Sequence, residues 1–269
     1  MCPNCRAFIT TDDKICPYCN TKVGARAVDL NRPKDALGGL IPQARFTTVI
    51  LMLINTGLYL GTVLYTQHSG GESGFDPSGQ ALFAFGAKEP HAIMAGQWWR
   101  LITAGFLHGG ILHILMNMWV LFDLGAQSEE AFGTGRFLTI YLVSSITGFY
   151  ASFLMAPSLS IGASAAICGL IGAMIAYGMR DGTAYGAAMR SFYARWAIYI
   201  LVFSFLPSVD IYAHIGGFVG GFAVGFIAGA PGRNKAIELF WQAAAFAMVA
   251  LNGYAFYEVY DWLRHLPPA

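Results

Sequence analysis

Ser164 and His214 are the two side chains whose types could do covalent chemistry together. A serine hydroxyl is a weak nucleophile until a neighbouring base takes its proton, and histidine is the commonest such base. Ser164 sits in the charge-free stretch "ASAAICGLIGA" (163–173), and His214 opens "HIGGFVGGFAVGFIAGA" (214–230). His113 and Asn117, in "HGGILHILMNMW" (108–119), are four residues apart and therefore share one helix face. An imidazole and an amide on one face can donate hydrogen bonds to an oxyanion without adding a permanent charge. Taken singly, each has a plainer reading: a small serine packing helices, a histidine bonded to a carbonyl, a polar pair acting as interhelical glue. The combination gives them weight.

A second group lies at the N-terminus. "CPNC" (2–5) and "CPYC" (16–19) are two Cys-x-x-Cys knuckles separated by ten residues. Cys2, Cys5, Cys16 and Cys19 supply four thiolates for a tetrahedral Zn²⁺. Four sulfur ligands leave no open position, so the expected metal is structural. A module this short buries almost no core, and the metal would supply its folding energy. The competing reading is two disulfides or free thiols; reduced cysteines imply a cytosolic location for this end.

The elements that must position these residues are membrane helices. The chain is 56% hydrophobic and 12% charged, with mean hydropathy +0.52, whereas soluble domains carry about a quarter charged residues. A net charge of +1 gives no support to a nucleic-acid partner. The polar opening segment has no signal-peptide pattern. Seven apolar stretches approach the roughly 20 residues needed to cross the hydrocarbon: about 46–66, 108–124, 137–157, 163–179, 194–208, 211–230 and 237–260. With the N-terminus in the cytosol, the 16 Lys and Arg divide thirteen to three, only Lys88, Arg100 and Arg264 falling on the far side. That topology brings Ser164, His214, His113 and Asn117 to similar depth near the extracytoplasmic face. Gly217, Gly221, Gly225 and Gly229 recur every four residues, opposite Gly162, Ala166, Gly169, Gly172 and Ala173 of the fourth span. Such small faces let two helix backbones approach closely.

Three ordered motifs, "WWRLITAGFLHGGILHILMNMWVLFDLG", "GASAAICGLIGA" and "DIYAHIGGFVGGFAVG", resemble those of the rhomboid family of intramembrane serine proteases, with close similarity over about 90–230. The resemblance implies an all-α polytopic membrane protein: a rhomboid-like six-helix core over 46–230, and a seventh transmembrane helix with a tail over 231–269. A zinc ribbon over 1–25 and a linker over 26–45 would precede them. It implies that Ser164 is the nucleophile and His214 the base. Asn117, His113 and the Ser164 N–H would hold the oxyanion, with no cofactor for catalysis. Trp99 and Arg100 match the first extracytoplasmic loop. In the family the loop arginine pairs with a glutamate at the position of Glu129, but the topology here separates the two, so Arg100 is expected only to structure its loop. Asp210 is expected to be a helix-start carboxylate rather than a third catalytic member.

Two residues depart from the family pattern. Ala165 stands where a glycine is usual and is expected to narrow the site. Cys168 stands where an aromatic ring usually stacks on the histidine; it is read as a small packing residue, and its presence should leave the His214 ring less constrained. The expected activity is cleavage of transmembrane segments of membrane proteins at a prokaryotic plasma membrane. The N-terminus would be cytosolic, the C-terminus extracytoplasmic, and the zinc module free to meet a cytosolic partner. A catalytically weak or inactive rhomboid-like protein that binds or routes membrane clients is the alternative. A transporter is disfavoured by the scarcity of acidic residues in the spans.

Overall fold

The structure, a computed structural model, describes residues 4–5, 15–22, 46–70 and 74–265. Cys2 and the linker expected over 26–45 lie outside the described residues. The chain divides into two compact units, Met1–Gln43 and Ala44–Ala269.

In the first unit, Ile15 and Lys22 form an antiparallel bridge across a tight turn. Cys16 N–H donates to Thr21 O and Asn20 N–H to Cys16 O, both at 2.9 Å. Asn20 has φ +53°, a left-handed conformation that asparagine tolerates better than most residues.

The second unit is helical. Its elements are α1 (Phe46–His68), α2 (Gly79–Ala84), α3 (Pro90–Met94), α4 (Arg100–Thr103), α5 (Ile111–Val120), α6 (Ala126–Met155), α7 (Ser164–Asp181), α8 (Ala184–Phe203), α9 (Ile211–Ala228) and α10 (Lys235–Arg264). A π turn, Leu121–Gly125, joins α5 to α6. Among the described residues, four helical segments are long and apolar enough to cross a membrane: α1, the continuous Ile111–Met155 run, α9 and α10. The 45-residue run is about twice the length needed for one crossing. Gly133, at φ +73° and ψ +158°, breaks it into two arms. That backbone conformation is essentially closed to residues with a Cβ. The helical arm that carries the third expected span therefore starts just after Gly133, a few residues before the apolar stretch.

The helix of the fifth expected span also begins earlier than its apolar stretch. Hydropathy favours 194–208, but α8 runs over Ala184–Phe203. Thr183 caps it by accepting from Gly186 N–H at 3.1 Å, so helix begins well before the apolar stretch and takes in Arg190 and Arg195. Pro207 discourages helix beyond its own N-terminal neighbour.

The amphipathicity of α1 is that of a membrane helix. Thr47, Thr48, Asn55, Thr62 and Thr66 are buried, while Leu53, Ile54, Leu60 and Leu64 are exposed. Its N-terminus is capped from a distant part of the chain. The Glu129 carboxylate, on α6, accepts from Thr47 N–H (3.2 Å), Thr48 N–H (3.1 Å) and Thr48 Oγ1 (3.0 Å). A carboxylate there meets both the orphan N–H groups and the positive end of the dipole.

The loop between α1 and α5 is built around Arg100, which is wholly buried. Its guanidinium donates to Gln97 Oε1 (2.6 Å), Phe83 O (2.7 Å) and Ala87 O (2.9 Å), and lies over the Phe83 ring at 4.0 Å. Arg100 thus structures its loop, and Glu129 is engaged elsewhere. Lys88 straps this loop to the segment before α7. Its Nζ donates to Ala156 O (2.6 Å) and Ser158 O (2.9 Å), and its backbone bridges Ser160.

α7 and α9 meet backbone to backbone. A Cβ built on Gly217 or Gly221 would overlap the backbone of Ala165 or Gly169, and one on Gly225 would lie 2.7 Å from Ala173 Cα. The contacts step by four residues on both helices. Gly229 falls outside this ridge; with φ +58° it ends α9. At the other end of the bundle, buried Arg136 on α6 holds Glu238 on α10 through two bonds of 2.5 and 2.9 Å.

Gly221→Ala should lower stability by about 1–3 kcal/mol, because its methyl has no space to occupy. Gly253→Ala, on an open face of α10 with nothing within 4 Å, should be neutral or more stable by up to about 1 kcal/mol. Thermal unfolding of both variants in one detergent checks the contrast; equal destabilisation would contradict the close approach.

Candidate active site

Ser164 is the first residue of α7, whose N-terminus has no side-chain cap. Its first-turn N–H groups are therefore available, at the positive end of the helix dipole, to a developing negative charge. Gly162, two residues earlier, has φ +127°, a conformation that favours glycine. Space demands it too: a Cβ there would lie 2.8 Å from His113 Nε2 and 3.5 Å from Ser164 Oγ.

His214 lies in the first turn of α9, where Asp210 is the N-cap and accepts from Ala213 N–H at 3.0 Å. Asp210 also accepts from Ser152 Oγ, so it serves the helix start and α6. The close α7–α9 ridge sets His214 Nε2 2.8 Å from Ser164 Oγ. The other ring nitrogen, Nδ1, is 2.6 Å from Ser204 Oγ, which lies just past the end of α8. Both Ser204 and His214 are buried.

His113 and Asn117 lie on one face of α5. His113 Nδ1 accepts from Gly109 N–H at 3.4 Å, which leaves Nε2 as the protonated nitrogen, near Gly162. Asn117 Nδ2 donates to His113 O at 2.8 Å, and its second N–H remains for another acceptor. A cavity of about 780 Å³ is lined by Ser164, His214, His113 and Asn117, with residues 109–112, 158–161 and 207–210 among the others in its wall. The volume lies within the range of ordinary ligand-binding clefts. His108 is buried behind, its ring centroid 5.1 Å from that of His113.

The two departures act differently from what sequence alone suggests. Ala165 is completely buried and does not line the cavity. Its methyl points toward α6, where residue 148 is glycine; a Cβ there would meet it at 2.7 Å. The extra methyl is accommodated in helix packing and does not narrow the site. Cys168 lines a second, apolar cavity of about 230 Å³ against His214, with Ile171, Ile200, Leu201, Ile215 and Phe218. No ring stacks on His214 from there. The ring is nevertheless held at both nitrogens, so the expected loss of constraint does not follow.

Sequence reading missed Ser204. The span placed over 194–208 put it inside a helix, and nothing in its neighbours marked it. The available signal was a serine near the end of the span preceding His214, three residues before Pro207. The capping role of Glu129 was equally hidden, since its partners are more than 80 residues away.

In the N-terminal unit, the sulfurs of Cys5, Cys16 and Cys19 lie within 4.8 Å of one another, and Cys5 and Cys16 are 3.6 Å apart. Four thiolates about 2.3 Å from one ion form a tetrahedron with edges of about 3.8 Å, close to that separation. Hydrogen bonding to the Thr21 hydroxyl, then to its backbone, holds the Cys19 thiol down at about 5, which favours the thiolate a metal needs. These three sulfurs could hold a metal ion.

The Rhomboid domain family matches residues 95–231. The chain is 40% identical over 156 residues to Rhomboid protease GluP of Bacillus subtilis, an alignment covering 56% of this chain and 30% of that protein. It is 41% identical over 148 residues to RHOMBOID-like protein 6, mitochondrial, of Arabidopsis thaliana, covering 53% and 48%. Against Rhomboid-like protease 3 of Toxoplasma gondii it is 35% identical over 150 residues, covering 54% and 57%. The matches thus span 30% to 57% of the length of these relatives.

Proposed function

The chain belongs to the rhomboid family, and we propose that it is an intramembrane serine endopeptidase acting through Ser164 and His214. The observation that carries this reading is the 2.8 Å contact between Ser164 Oγ and His214 Nε2 in a cavity lined by hydrogen-bond donors. His214 Nε2 takes the hydroxyl proton as Ser164 attacks a scissile carbonyl. The oxyanion is held by Asn117 Nδ2, His113 Nε2 and the Ser164 N–H. His214 then gives its proton to the leaving amine, leaving an acyl-enzyme, and activates the water that hydrolyses it.

The substrates are transmembrane segments of other membrane proteins. Their amides are hidden in a helix, so a segment must unwind locally before cleavage, and Gly or Pro near the cut should help. The distribution of Lys and Arg supports a cytosolic N-terminus; a prokaryotic plasma membrane is part of the same proposal. The N-terminal module holds one zinc ion through Cys5, Cys16 and Cys19 with Cys2, and it offers a docking point for a cytosolic partner. The metal would act there as a structural cross-link.

Purified protein in liposomes should cleave a model transmembrane substrate, and Ser164→Ala and His214→Ala should each abolish cleavage. No turnover and no labelling of Ser164 by a fluorophosphonate would overturn the protease reading in favour of a client-binding protein. Asn117→Ala, which removes one oxyanion donor, should lower kcat by roughly 10²–10³-fold with little change in KM. The protein should carry one equivalent of zinc by elemental analysis, lost in Cys5→Ser or Cys16→Ser. Metal-free protein with intact disulfides would overturn the zinc assignment.

A further inference from the structure

Among the described residues, the His214 ring hydrogen-bonds to no carboxylate, and its face abuts an apolar cavity rather than a stacked ring. Asp210, one turn away, is occupied by Ala213 N–H and Ser152 Oγ. What remains at Nδ1 is the hydroxyl of Ser204, at 2.6 Å. That hydroxyl has one proton to give. Ile200 O lies 2.6 Å from Ser204 Oγ as an acceptor for it, and this is a common arrangement for a serine near a helix C-terminus. With its proton on Ile200 O, Ser204 Oγ presents a lone pair to His214.

We propose that Ser204 is the positioning residue of the site: it accepts a hydrogen bond from His214 Nδ1–H, so that Nε2 carries the lone pair facing Ser164. The proposal rests on the protease reading above and deepens it. When His214 takes the serine proton, both ring nitrogens become donors. Nδ1–H then needs an acceptor that does not itself give a proton to the ring, and the Ile200–Ser204 relay provides one. The relay is uncharged, so the free site buries no anion beside the ring; an unpaired carboxylate here would be costly to desolvate. Ser204 belongs to the α8 end of the bundle and His214 to α9, so the bond also ties the two helices at the depth of the site.

Two measurements test this. In ¹⁵N-histidine-labelled protein, the His214 signals, assigned by their loss in His214→Ala, should report the Nδ1–H tautomer in the wild type. They should move toward a mixture of tautomers in Ser204→Ala. In cleavage assays, Ser204→Ala should lower kcat roughly ten- to hundredfold with KM within about twofold, the effect of leaving one buried donor unpaired. Ser204→Thr, which keeps the hydroxyl, should recover most of the rate. A wild-type His214 in the Nε2–H tautomer, or full kcat in Ser204→Ala, overturns the positioning role while leaving the protease reading intact. Absence of any Ser164-dependent turnover overturns the protease reading and the catalytic use of Ser204 together; the ¹⁵N signals still report whether the Ser204–His214 bond exists.

Discussion

The backbone-to-backbone contact of α7 with α9 is the constraint on which the rest of the membrane unit depends. Gly217, Gly221 and Gly225 step along α9 against Ala165, Gly169 and Ala173 of α7, and three of these positions leave no room for a Cβ on the α9 side. Lipid gives helices little hydrophobic reason to associate, so close van der Waals contact and the hydrogen bonds it permits carry the association. The same closeness sets the separation of the two helix N-termini, and with it the 2.8 Å between Ser164 Oγ and His214 Nε2. Stability and the geometry of the candidate site are thus one property of one interface.

Around that pair, buried charges are used as fasteners. Glu129 caps α1 from α6, Arg100 gathers the carbonyls of its own loop, Lys88 ties that loop to the segment before α7, and Arg136 holds α10 through Glu238. Each is an ion that would be costly to leave unpaired in a low-dielectric setting, and each has several partners. Lys88 bears most directly on the site. Its bonds to Ala156 O and Ser158 O, and its bridge to Ser160, steady the turn from which Gly162 and Ser164 follow.

The polar groups near Ser164 follow a different rule, because none of those in direct contact carries a permanent charge. Imidazole, hydroxyl, amide and backbone N–H groups are placed by α5, α7, α9 and the end of α8. Neutral groups cost less to bury than ions, and helix ends add partial charge without adding a buried ion. The apolar cavity at Cys168 fits this arrangement, since hydrogen bonds at the two ring nitrogens orient His214 with no ring stacked beside it.

Composition and spacing by themselves determined the membrane class of this chain, its helical character, the glycine ridge at four-residue steps and the order of its motifs. Those properties are local or periodic, and a single chain displays them directly. The candidate residues Ser164, His214, His113 and Asn117 were legible only in combination and through the family resemblance of their motifs, because each alone reads equally as helix packing. Tertiary structure decided what local pattern cannot carry: the Ser204 contact with His214, the capping of α1 by Glu129, the harmless direction of the Ala165 methyl and the early start of α8. In each case the deciding partner comes from another helix or from a cap outside the apolar stretch. A hydropathy profile averages over neighbours in sequence, and a hydrogen bond is made between neighbours in space.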